Sequence, residues 1–163
     1  MNRTARLLPL AFLALLIAGT CDRILYARLQ DNSTVGQPVF AVGSNPDYSG
    51  RVLVYAASVT GTAWDSSGRA DTARSWRTFW EMHVDSGRKW VPLNELRYGA
   101  APFYCHSIAG PDTLRRGYVY ACAIRCYGLS PTVYFEIVTD RAGRPAIRTL
   151  TDEQFRSRVR RSN

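Results

Sequence analysis

The chain has one lysine, Lys89, among its 21 basic residues, and only two histidines. It also lacks any apolar run near the ~20 residues that a membrane-spanning helix needs. Scarce histidine, and the absence of CxxC or HxxxH spacing, exclude the usual zinc patterns. Cys122-x3-Cys126 is one isolated short spacing without a second pair. Gly61-Thr62 and Ser66-Ser67-Gly68 are not followed by the lysine that a phosphate-binding loop requires. No period of 20–50 residues recurs, so solenoids and propellers are excluded. The expectation is no cofactor and no metal. With lysine nearly absent, positive charge falls to arginine, whose planar fork suits phosphate or carboxylate; a biased genome yields the same excess.

What is present is a 46% hydrophobic composition, which argues for a globular fold and against disorder. The formal net charge is +8. Arg3 and Arg6 belong to the first 21 residues, so the remainder carries 19 basic and 13 acidic side chains.

Residues 1–21 read as an export signal. Arg3 and Arg6 give a basic start, 7–19 is a charge-free run rich in Leu and Ala, and Thr20-Cys21-Asp22 ends it. At ~1.5 Å per residue, 13 residues of helix span about 20 Å, short of the ~30 Å bilayer core. Ile17-Ala18-Gly19-Thr20-Cys21 resembles a bacterial lipoprotein signal, which makes Cys21 the candidate lipidation site. Asp22 then resembles a Gram-negative inner-membrane retention residue. Thr20 departs from the small residue usual before the cysteine, so two alternatives stand beside acylation. One is cleavage after Gly19 or Thr20 to give a soluble periplasmic or secreted protein; the other is an uncut anchor.

Residues 22–37 read as a tether, helical over 23–29, leading into a single β-rich domain over 38–163. The expected class is mainly β or α+β, a small antiparallel sheet, sandwich or barrel-like, with a C-terminal helix packed on it. Strands are expected over 38–42, 51–60, 117–125, 132–139 and 145–150, the last two forming a hairpin. Apolar residues on both faces make 51–60 a central strand. Over 75–84, alternation puts Trp76, Thr78, Trp80, Met82 and Val84 on one face, with Phe79 as the exception. Asp85-Ser86-Gly87-Arg88 reads as the turn of a hairpin returning over 89–93, with Pro92 marking an edge. A helical turn is expected over 94–98 and an extended segment over 101–107. At the C-terminus, Thr151 and Gln154 form a capping box, and Leu150 with Phe155 a hydrophobic staple.

Cys122 and Cys126 share a strand face, four residues and about 13 Å apart, beyond the reach of a disulfide. Cys105 is therefore expected to bridge to Cys122, or alternatively to Cys126. The competing possibility is a Cys105 nucleophile, or a carboxylate, working with His83 as an envelope hydrolase. His106, adjacent to Cys105 on an extended segment, points to the opposite face. The acidic residues Glu81, Asp85, Glu95, Asp112 and Glu136 are scattered and read mostly as solvated.

Four tryptophans, at 64, 76, 80 and 90, lie within 27 positions. Trp76 and Trp80 read as core. Trp64, in a polar loop with Asp65 and Arg69, reads as part of a partner surface, together with Ser86 and Arg88. These features imply a non-enzymatic binding module or accessory lipoprotein of the cell envelope that recognises an envelope protein or polymer. Its membrane contact would come from an N-terminal lipid or uncut signal, and no nucleic acid is expected. A purely structural lipoprotein is the remaining alternative. Cys21→Ser should release the protein from membranes into the soluble fraction, as followed by fractionation and intact mass. Retention at the unprocessed mass would instead identify an uncut anchor.

Overall fold

In the chain's centre, Val52–Ala63 is apolar on both faces, and every strand of the larger sheet is arranged around it. The computed structural model describes residues 25–64 and 76–159. Their strands are β1 (Tyr26–Leu29), β2 (Val39–Gly43), β3 (Val52–Ala63), β4 (Arg77–Val84) and β5 (Val91–Leu93), then β6 (Glu95–Arg97), β7 (Cys105–Ala109), β8 (Tyr118–Cys126), β9 (Thr132–Thr139) and β10 (Pro145–Leu150). One helix, α1 (Asp152–Val159), follows.

Two antiparallel sheets result. The small one runs β1-β2-β6; the large one runs β10-β9-β8-β3-β4-β7, with β5 also paired to β3. Between them lies the main core, which draws Phe40, Val42 and Leu96 from the small sheet and Val59, Trp80, Tyr120 and Phe135 from the large one. Phe40 and Phe135 meet across it at 5.8 Å between ring centroids. Neither sheet closes into a barrel, and α1 covers the outer face of the large sheet. The expected class, antiparallel β with a C-terminal helix, is therefore the observed one.

Several local expectations are corrected. Tyr26–Leu29 is a strand on β2, where a helix was expected. Glu95–Arg97 is likewise a strand, completing the small sheet, where a helical turn was expected. Residues 89–93 do not fold back on β4. Since β8 occupies one edge of β3, β4 and β5 both lie along the other, β4 on Ala56–Gly61 and β5 on Val52–Val54. The Ser86 segment is thus a loop between two collinear strands, and β4's outer edge pairs with β7. Pro92 does sit at an edge, because among the described residues β5 pairs only with β3.

Trp76 is not core. Val59 pairs with Trp80 and Thr60 with Thr78, leaving Phe79 as the extra residue of a β-bulge. The insertion turns both Phe79 and Trp80 inward and moves everything before them by one position. Trp76 therefore emerges on the outer face, 37% exposed, against Phe155 of α1 at 5.9 Å.

The helix follows its sequence signals closely. Gln154 N–H donates to Thr151 Oγ1 at 3.1 Å, and Thr151 N–H donates to Gln154 Oε1 at 2.9 Å. Leu150 and Phe155 join Val119, Tyr134 and Val159 in a second apolar cluster beneath the helix. Glu136 is not solvated but 4% exposed. It is held by Arg148 of β10 and, at 2.7 Å, by Arg158 of α1. Trp80→Ala should cost about 3–5 kcal/mol in chemical denaturation, as deep aromatic truncations do. Trp76→Ala should cost no more than about 1 kcal/mol.

Candidate functional site

The cysteine chemistry suggested by the sequence is not assembled. Cys105, Cys122 and Cys126 are free thiols. Two strands, β4 and β3, separate β7 from β8. At ~4.8 Å per strand, three steps put Cys105 at least about 14 Å from either partner, whereas a disulfide needs Cα atoms ~4.4–6.8 Å apart. This corrects the expected Cys105–Cys122 bridge and its Cys126 alternative.

The free Cys105 is not an activated thiol either. Burial and the nearby Asp85 carboxylate both raise its pKa. It pairs across the sheet with Val84, whereas His83 pairs with His106. Since neighbours alternate in face, the thiol turns toward the core while both imidazoles turn outward. There His83 Nε2 lies 3.0 Å from Glu81 Oε1, and His106 Nδ1 lies 2.9 Å from Asp85 Oδ1. Among the described residues no set of three or more such side chains is arranged to hold a metal.

Trp64 is placed otherwise than expected. Its N–H donates to Gly117 O at 2.7 Å, its ring packs in the cluster beneath α1, and the Arg158 guanidinium sits 4.9 Å above it. Asp65 and Arg69, like the lipidation candidate Cys21, lie outside the described residues. The other half of the expected surface, around Ser86 and Arg88, is exposed. Arg88 stacks on Tyr104 at 3.6 Å, and Tyr104 meets Phe103 at 4.2 Å. Asp85 N–H, donating to Tyr104 O at 2.9 Å, ties the loop to the segment leading into β7.

This belongs to a larger feature. Large hydrophobic side chains exposed at the end where β3 starts and β4 and β8 finish are Leu53, Tyr55, Trp90, Phe103, Tyr104, Tyr127 and Leu129. Trp76 and Ile108 are exposed elsewhere on the sheet. Phe103 and Tyr127 reach 79% and 75%, too open to contribute to a core. Beside them a cleft of about 490 Å³ opens between the sheets, lined by Leu25, Asn45, Arg51, Leu53, Cys126 and Tyr127 among others.

No family model, curated protein or solved structure matches this chain.

Sequence reasoning located Ser86 and Arg88 but missed Trp90, Phe103, Tyr104 and Tyr127. Gly87 and Gly128 mark turns near some of them, but three separate loops bring them together, a tertiary fact without local signature. The thiols provide a direct check. At neutral pH, iodoacetamide should label native Cys105 and Cys126 more slowly than a free thiol, because burial raises both pKa values, that of Cys126 to about 11. Labelling should accelerate as pH rises, since only the thiolate reacts, and Cys122 should label only on unfolding. Non-reducing peptide maps should contain no Cys105 bridge.

Proposed function

We propose that this protein is a non-enzymatic binding module of the cell envelope, held at a membrane by its N-terminal segment and recognising an envelope protein. The observation that carries the reading is the β7 edge. Among the strand edges of the large sheet, β10 begins with Pro145 and carries Arg148, and β5 carries Pro92, both ordinary protections against strand addition. β7, Cys-His-Ser-Ile-Ala, has neither proline nor a lysine or arginine, and among the described residues no strand pairs with its outer edge.

Exposed side chains flank that edge. Ile108 is 51% exposed, and Phe103 and Tyr104 with the stacked Arg88 stand at its entry. An extended peptide segment of a partner can add to such an edge through main-chain hydrogen bonds, with affinity concentrated in aromatic and arginine contacts. The raised pKa of Cys105 and the outward turn of His83 favour this reading over a thiol hydrolase.

The test is capture from envelope extracts by the full chain, with Phe103→Ala and Ile108→Asp as variants. Each should weaken capture about tenfold or more, equivalent to about 1.4 kcal/mol, while melting within a few degrees of the parent. Undiminished capture by both variants would refute the β7 site.

A further inference from the structure

We propose that the end of the sandwich at which the chain enters the fold docks directly on an anionic lipid bilayer. The inference rests on the reading that the N-terminal segment holds the protein at a membrane. It adds that the folded domain itself is the second membrane contact, in one fixed orientation.

The chain enters at Leu25, which lines the cleft together with Arg51, Leu53 and Tyr127. Cys21 is four residues earlier. Four residues reach at most about 14 Å even when fully extended. A lipid on Cys21 therefore keeps this end within about 14 Å of the headgroups, and an apolar run left in the bilayer, ending at Gly19 six residues before Leu25, within about 22 Å. The opposite end has no such constraint.

The surface held there has the composition that an interface selects. Leu53, Tyr55, Trp90, Tyr127 and Leu129 are all exposed, and the rings of Trp90 and Tyr127 meet at 5.7 Å. Tryptophan and tyrosine favour headgroup depth, where the ring leaves water and its polar atom stays wet. Arg51, Lys89 and Arg125 surround them, exposed, and none has a carboxylate partner among the described residues. Of the eleven other arginines of the described residues, Arg77, Arg97, Arg144, Arg148, Arg156 and Arg158 are in ion pairs, while Arg28 and Arg88 stack on Tyr48 and Tyr104. Aspartates near this end are already engaged, Asp47 accepting from Ser49 N–H and Asp85 from His106. Unpaired cations beside exposed aromatics complement anionic headgroups.

Tryptophan placement makes the orientation measurable. Residues 1–24 contain no tryptophan. Trp80 is fully buried, and Trp64 and Trp76 lie against the helix cluster, which leaves Trp90 at the proposed interface. The full chain is reconstituted into phosphatidylcholine/phosphatidylglycerol vesicles whose acyl chains are brominated, and tryptophan emission is recorded alongside flotation. The expected result is quenching of the floated protein, with at least half of the quenched signal lost in Trp90→Phe. Quenching should also fall at least twofold in vesicles of phosphatidylcholine alone or in Arg51→Gln/Arg125→Gln. Protein that floats but is unquenched, or is quenched equally in Trp90→Phe, overturns the docking and leaves the tether standing. Protein that does not float overturns both. An end shielded from acrylamide in native membranes, yet unquenched on lipid vesicles, would assign the surface to a protein and refute the bilayer.

Discussion

The single extra residue in β4 is the constraint on which the rest of the architecture depends. A bulge leaves backbone groups without ladder partners, and in a buried strand these must be bonded elsewhere. The Phe79 carbonyl accepts from Asp112 N–H at 2.9 Å and from the Tyr98 hydroxyl at 3.1 Å. Tyr98 in turn packs on Trp80 at 5.8 Å, and the Trp80 indole N–H donates to Ser107 of β7 at 3.3 Å. The segment that reaches in to satisfy the bulge can approach only because residue 110 is glycine. Its φ is +70°, and a Cβ there would collide with the Phe79 carbonyl. One inserted residue thus joins β4, the turn after β6 and the edge strand β7.

The same insertion explains where sequence reading held and where it failed. Alternation is a sound guide only while the two-residue period is unbroken. It placed β8, β9 and β10 closely, and their hairpin is observed as expected. In β4 it assigned Trp80 and Met82 correctly and then carried Trp76 to the wrong face, because nothing local announces a bulge. Helix α1 was legible for the opposite reason. Its capping box and staple are satisfied within a few residues, so no tertiary information was needed to find them.

Strand order was the least legible property. Asp85-Ser86-Gly87-Arg88 has good turn chemistry, and a turn between two strands suggests a hairpin. Nothing in the segment states that β5 continues along β3 instead of returning along β4. That misplacement carried others with it. With β4's outer edge open, β7 could pair there, and Cys105 was thereby removed to the far side of two strands from Cys122. Glu136 shows the same limit: its sequence neighbours are apolar and give no sign of the two arginines, from β10 and α1, that neutralise it.

The large sheet consequently has two unlike ends. At one, the helix lies over Val119, Tyr134 and Leu150, and Arg158 spans from Glu136 to the Trp64 ring. Most apolar side chains there are covered, Trp76 excepted, and Glu136 is matched by Arg148 and Arg158. At the other, aromatic residues from β3, the β4–β5 loop, the lead into β7 and the β8–β9 turn are exposed beside arginines without partners. Exposed hydrophobic side chains scattered singly are ordinary, but concentration at one end is not. The chain's point of entry, Leu25, lies at that same end. Because neither composition nor alternation requires these residues to be open to solvent, their segregation is best understood through what they contact outside the chain. On the proposed reading, the nearest such surface is the membrane at which Cys21 would be held.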